Sequence, residues 1–309
     1  METNPQDELS QPLLAIDIGG TWLRAAVFSP SMGPRKQTCT LAEQGADAVL
    51  KRLRRLIAPM IEPLDAPLAG IAIASAGQVD PDAGIVVDAT ANLPGFRGLD
   101  LREHVEHWDL NGEAGTPILV ENDVNAALAA EALAKPDAAN MVVMALGTGV
   151  GGALMVDRQL VRGRHFFAGE LGHMILYPRG RSCNCGQEGC LEQYVSGPGL
   201  LQTSLQYHGP LEMPDALWQA VGEPWAEATL DHFAADLSLA LTSVVNLLDP
   251  DLIVLAGGLS TTHRWWHHRL LKSLAATSRK PIPLAYAHFG EDSALVGAVV
   301  LHRQRYLNI

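Results

Sequence analysis

The sequence is poor in cysteine and in positive charge, and it has no long apolar run. Four cysteines in 309 residues are too few for a disulfide-stapled secreted scaffold. Lysine and arginine number 22 against 34 aspartates and glutamates, a formal net charge of −12. This argues against a nucleic-acid partner, which would meet a basic stripe. The one basic cluster, Lys51-Arg52-Leu53-Arg54-Arg55, reads as the solvated face of a helix that turns Leu50, Leu53, Leu56 and Ile57 inward. No apolar stretch reaches the ~18 residues of a membrane helix. Segment 1–11 is polar, has no hydrophobic signal core and reads as a short loose tail, so a cytoplasmic location is expected. What remains is a globular, enzyme-like composition with 48% hydrophobic residues, at a length comfortable for two domains.

Strand-like and helix-like segments alternate, and one unit occurs twice. Leu13-Leu14-Ala15-Ile16-Asp17-Ile18 runs through Gly19-Gly20-Thr21 into Trp22-Leu23-Arg24-Ala25-Ala26-Val27-Phe28. About 128 residues later Met141-Val142-Val143-Met144-Ala145-Leu146 runs through Gly147-Thr148-Gly149 into Val150-Gly151-Gly152-Ala153-Leu154-Met155-Val156. Both read as strand, glycine turn, strand, which predicts two domains of like topology. Further strands are predicted at 68–74, 118–121, 252–256 and 284–289, and helices at 46–61, 124–134, 225–248, 264–276 and 294–306. Phe233, Leu237, Leu241 and Val244 recur at helical spacing, so the long helix is core scaffold, and Asp249-Pro250-Asp251 ends it.

His173, Cys183, Cys185 and Cys190 fall within 18 residues, close enough in sequence for one loop to fold around one ion. A Cys3His set completes the tetrahedron that structural zinc prefers, and Asn184, Gly186 and Gly189 permit the tight turns that converging thiolates require. Buried free thiols or a disulfide are the alternatives, but Cys183 and Cys185 are too close to pair comfortably. Cys39 stands alone and is read as a small core hydrophobe in a strand.

The two glycine turns, each with a threonine, can present backbone N–H donors to phosphate. Neither fits the P-loop pattern, and the second opens a strand where a dinucleotide fingerprint opens a helix; singly, either is also a plain hairpin turn. Gly257-Gly258 follows a predicted strand where a helix should begin, suited to the nucleoside end of a nucleotide. Glu121-Asn122-Asp123 ends one strand before an alanine-rich helix. Asp123 is therefore an N-cap, a base that takes a proton from a substrate hydroxyl, or both. Glu170 and Glu192 flank the cysteine–histidine cluster and read either as surface charge or as acceptors that an ordered loop would hold toward a polyol.

Taken together, Asp17-x-Gly19-Gly20-Thr21, Glu121-Asn122-Asp123-x-Asn125-Ala126-Ala127, Gly147-Thr148-Gly149-x-Gly151, Gly169-Glu170-x-Gly172-His173, Cys183-x-Cys185-Gly186-x-x-Gly189-Cys190-x-Glu192 and Asp249-Pro250-Asp251 with Gly257-Gly258 resemble the ROK family (repressor, open reading frame, kinase) of the hexokinase–actin–heat-shock ATPase superfamily. The resemblance runs from Ile16 to about Ala298. It implies an α/β fold of two ribonuclease H-like domains with a cleft between them and a zinc-binding loop. The smaller domain would span 1–124 with 294–309, and the larger 125–293. It implies transfer of the γ-phosphate of ATP to the 6-hydroxyl of a hexose or N-acetylhexosamine, with glucose and N-acetylglucosamine level and N-acetylmannosamine behind. Asp123 would be the base, with Asn92, Asn122, Glu170, His173 and Glu192 holding the sugar. Asp17, Gly19, Gly20, Thr21, Gly147, Thr148, Gly149 and Gly151 would serve ATP and Mg²⁺, Gly257 and Gly258 would border the adenosine, and His173 would bind zinc through one ring nitrogen and sugar through the other. A homodimer is implied. A sugar-responsive regulator of the same family is disfavoured, because only about a dozen residues precede Leu13, too few for a helix-turn-helix domain. Trp22, where lysine or another polar residue is frequent, and Ser75-Ala76-Gly77, in place of a commoner Pro-Gly, depart from the family pattern.

Overall fold

A computed structural model describes residues 11–108, 110, 115–211 and 215–307. The predicted tail lies outside this range except for its last residue, as do positions 308 and 309. The chain divides into two compact units, one of residues 1–134, 163–167 and 292–309, the other of 135–162 and 168–291.

The strands of the first unit are β1 (Leu13–Ile18), β2 (Trp22–Phe28), β3 (Lys36–Cys39), β4 (Gly70–Ser75), β5 (Gln78–Asp80), β6 (Ile85–Asp88), β7 (Leu99–Asp100) and β8 (Ile118–Asn122). Five of them form a sheet in the order β3-β2-β1-β4-β8, and β5, β6 and β7 make a small meander. β1 and β4 are buried at every position, as expected of continuous apolar strands covered on both faces. They run parallel to each other, whereas β2 returns antiparallel to β1. One edge falls to β3, whose Lys36-Gln37-Thr38-Cys39 is mostly exposed, a polar composition that blunts further strand pairing. Cys39 is in a strand as expected but is not a core residue: it pairs with Trp22 on the sheet edge and is exposed.

Helix Ala46–Ile61 buries Val49, Leu50, Leu53 and Ile57, the inward stripe read from the sequence apart from Leu56, which is only partly buried. Helix Asp123–Ala134 packs against helix Ser293–Tyr306 in the same unit. The division of the chain therefore falls after Ala134 and not at 124. The physical reason is a backbone contact, since a Cβ built on Gly297 would lie 1.6 Å from the Ala126 carbonyl oxygen. Gly297→Ala must push the two helices apart. We expect it to cost about 2–3 kcal/mol and to lower Tm by roughly 4–12 °C in a calorimetric scan; a variant as stable as its parent would mean that the helices separate without cost.

The second unit has β9 (Met141–Leu146), β10 (Val150–Val156), β11 (Gln159–Leu160), β12 (Leu252–Ala256) and β13 (Leu284–Tyr286), in the order β11-β10-β9-β12-β13. β10 is antiparallel and β12 parallel to β9, and β13 is parallel to β12. Strand for strand this is the plan of the first sheet, so the repeat seen in the sequence is a repeat of topology. Helix Pro224–Leu248 buries Phe233, Leu237, Leu241 and Val244, as their spacing predicts. It stops at Asp249, in the left-handed region at φ 43°, and Asp251 then accepts the backbone N–H groups of Ala139 (2.9 Å) and Asn140 (2.7 Å). The Asp249-Pro250-Asp251 signal is thus both a helix stop and a clamp on the entry to β9. The predicted helix at 264–276 is instead a 3-10 stretch, Gly258–Trp265, followed by helix His267–Thr277. Among the described residues no helix is long and apolar enough to cross a membrane.

Candidate active-site residues and metal centre

In the first unit, Asp17 lies in β1 directly opposite Arg24 of β2, and the register brings Nη1 of Arg24 to 3.0 Å from its Oδ2. Burial raises the Asp17 pKa from the ordinary carboxylate value, and Arg24 opposes the shift. The turn that follows closes when Gly19 N–H donates to the Trp22 carbonyl at 3.0 Å. Thr40, fully buried, braces the turn from behind: its hydroxyl donates to Gly19 O at 2.7 Å and its N–H to Thr21 O at 2.9 Å. Arg52 then donates to Thr40 O at 3.1 Å. Neither Thr40 nor Arg52 was singled out from the sequence. Thr40 sits in no periodic pattern, and Arg52 belongs to the basic run read as solvated, from which it alone reaches Thr40. Asn92 is exposed, with its backbone oxygen 3.6 Å from the position a Cβ on Gly20 would take. Of the two departures, Trp22 is 36% exposed and contributes its carbonyl to the turn, and Ala76 N–H donates to Ile18 O at 2.9 Å.

At the carboxyl end of β8 the structure divides two roles that the sequence left together. Asn122, not Asp123, caps the helix: its Oδ1 accepts the N–H groups of Val124 at 3.0 Å and Asn125 at 2.9 Å. Its Nδ2 donates to Gly77 O at 2.9 Å and Asp123 Oδ1 at 3.1 Å. Asp123 is the first helical residue, and its Oδ1 also accepts Val124 N–H at 2.9 Å. A carboxylate in the first turn is favoured by the helix dipole. Here one of its oxygens is oriented by two donors. Glu121, fully buried, supports the corner by accepting from Asn122 N–H and Asn125 Nδ2.

In the second unit the turn at 147–149 joins β9 to β10, closed by Gly147 N–H to Gly149 O at 2.9 Å, while Gly147 O accepts Gly197 N–H at 2.8 Å. Space is open above Gly147 and above Gly258, where an added Cβ would meet nothing within 4 Å, so an anion can approach both backbones closely. Glu192 is 9% exposed, and its Oε2 accepts Val150 N–H at 2.9 Å. It therefore ties the segment after Cys190 to the glycine turn. Gly172 allows the 3-10 turn Leu171–His173 to lie against β10, since a Cβ there would stand 2.0 Å from Val150 O. That contact places Glu170 and His173.

His173, Cys183, Cys185 and Cys190 converge, with their four ligand atoms all within 4.8 Å of one another. Cys183 Sγ lies 3.7 Å from His173 Nδ1, and Cys185 Sγ 3.7 Å from Cys190 Sγ. A tetrahedron built on Zn–S bonds of about 2.3 Å has edges of about 3.8 Å, so these two separations match a zinc site and the donor set fits zinc in chemistry. Nδ1 of His173 faces Cys183, while Nε2 lies 3.8 Å from Glu170 Oε2. Burial, with Cys185 and Cys183 beside it, pushes the Cys190 thiol up to about 12, and ionising three adjacent thiols calls for a cation among them.

A cavity of about 450 Å³ in the second unit is lined by Tyr177, Tyr207, His232 and Asp236 among others. It contains none of the residues above, so its size does not mark it as the site of their chemistry.

The ROK family profile matches residues 13–305. An N-acetyl-D-glucosamine kinase of Citrobacter koseri is 31% identical, over 93% of this chain and 97% of its own length. An N-acetylmannosamine kinase of the same organism is 32% identical over the same shares. Among solved structures, a ROK family glucokinase from Streptomyces griseus, in complex with glucose and AMPPNP, superposes with a TM-score of 0.82 at 27% identity, covering 95% of this chain and 99% of that one. The mixed α/β fold is thus that of the ROK sugar kinases, and the chain belongs to the ROK family.

Proposed function

We propose that the protein is an ATP-dependent sugar kinase that phosphorylates the 6-hydroxyl of a hexose or N-acetylhexosamine. The observation that carries this reading is the division of labour at the end of β8. Asn122 caps the helix, which leaves Asp123 a carboxylate oriented by Val124 N–H and Asn122 Nδ2 and fit to take a proton from an attacking hydroxyl. Phosphoryl transfer asks chiefly for positioning and charge neutralisation. The turns at 19–21 and 147–149 supply backbone donors for phosphate, and Gly257-Gly258 would border the nucleoside. Asp17 would hold Mg²⁺, which neutralises phosphate charge when bound, and the Arg24 ion pair fixes the direction of its carboxylate. Glu170, His173 and Glu192 hold ring hydroxyls, with Asn92 a further contact, and zinc, where bound by His173 and the three cysteines, orders the loop that bears them. A homodimer is the assembly expected.

The relatives act on different sugars, so the acceptor is the finer question. A coupled ADP-release assay over a sugar panel is expected to rank glucose and N-acetylglucosamine together, with N-acetylmannosamine behind. A sugar lacking one recognised hydroxyl should lose about ten- to hundredfold in kcat/KM, because a buried acceptor is left unpaired. A panel in which only fructose or a non-sugar alcohol serves would mean that the pocket residues are misassigned.

A further inference from the structure

The long helix Pro224–Leu248 buries one charged side chain, that of Asp236, which is 1% exposed. A buried carboxylate is costly unless it is paired, and this one makes a single strong bond: Tyr177 Oη–H donates to its Oδ1 at 2.5 Å. Its Oδ2 has no hydrogen bond, and His232 Nε2 is 3.7 Å away. Tyr177 lies in the loop between His173 and Cys183. Leu176 and Tyr177 both donate backbone N–H to Gly189 O, at 2.8 and 3.2 Å, and Ile175 forms a β-bridge with Cys190. The stretch that bears Tyr177 and the stretch that bears Cys190 therefore run side by side. On its other side the Tyr177 ring meets Tyr194 edge-on at 4.8 Å, in the short helix that starts at Glu192. Burial and the neighbouring Asp236 raise the Tyr177 pKa, so the phenol stays a donor throughout the physiological range.

We propose that Asp236 is a positioning residue which, through Tyr177, tethers the metal-binding loop to the long helix independently of the metal and so sets the placement of His173 and Glu192. In a metal-free chain the loop keeps its course at 175–177 because the tether remains. In the loaded chain the tether slows the opening through which metal leaves. The effect on sugar rests on the kinase reading above; the effect on the loop does not.

The test compares the full-length parent with Tyr177→Phe, Asp236→Asn and the double variant Tyr177→Phe/Asp236→Leu. The double variant replaces both partners by apolar groups and so leaves no buried polar atom unpaired. Hydrogen–deuterium exchange is read on chelator-stripped protein, zinc release by a chromogenic chelator on loaded protein, and sugar KM and kcat by ADP release. Tyr177→Phe and the double variant are expected to exchange faster across 174–191 with helix 224–248 unchanged, to release zinc about tenfold faster and to raise sugar KM about tenfold, with kcat and ATP KM within about twofold. Asp236→Asn, whose amide oxygen still accepts the phenol, should recover most of the parent behaviour. Parent-like loop exchange and zinc release in Tyr177→Phe would overturn the proposal, as would loop and helix loosening together, since the pair would then only stabilise the core. If the parent phosphorylates no sugar, the kinase reading fails while loop exchange still decides the tether; if it holds no zinc, exchange of the protein as purified decides it.

Discussion

Asp123→Asn is expected to lower kcat by about 10²–10⁴-fold, the range for losing a positioned base, with sugar binding largely retained. The structure sharpens this expectation, because the cap belongs to Asn122 and the substitution leaves the helix start intact. Loss of activity should therefore come without loss of Tm. Equal falls in kcat and kcat/KM would locate the lost interaction in the transition state. Measured activity within a few-fold of the parent, at unchanged stability, would reduce Asp123 to a charge at a helix N-terminus.

Cys185→Ser should carry the next largest effect. Cys185 is the exposed member of the cluster, so the change removes a ligand without opening a core cavity. Zinc content, near one per chain in the parent, should fall well below that in elemental analysis. Sugar KM should rise about 10–100-fold, the range seen when the surroundings of a metal site are disturbed, because His173 is itself a ligand and Glu192 stands two residues beyond Cys190. Absence of zinc from the native protein, with activity indifferent to strong chelators, would end the metal argument.

The sequence carried the sheets further than the corners. β1, β2, β9, β10 and β12 coincide with the segments read from apolar runs; β1, β9 and β12, buried along almost their whole length, write that length in hydrophobic residues. The exposed β3, the meander β5–β7 and helices Leu101–Glu106 and Gly197–Ser204 are short and partly polar, so no period develops over them. The metal ligands were legible because zinc demands particular atoms at close spacing. The partners that brace the other candidate residues and the loop were not: Thr40 behind the first turn, Arg24 against Asp17 and Asp236 under Tyr177 meet their targets through register and helix packing, which no local pattern records. Asp123 shows the same limit, since cap and first helical residue are adjacent and only hydrogen-bond geometry assigns the cap to Asn122.

The two sheets repeat one strand order, but what is added to them falls at different connections: the β5–β7 meander between β4 and β8, and the metal loop between β11 and β12. Each glycine turn, by contrast, sits in the tight hairpin between the first two strands of its sheet. Insertions can lengthen or shorten the added segments while both hairpins keep their register. On the proposed kinase reading, in which both hairpins hold nucleotide, the scaffold separates the segments that a lineage, or an engineer exchanging loops, can revise from the two hairpins that must keep their register.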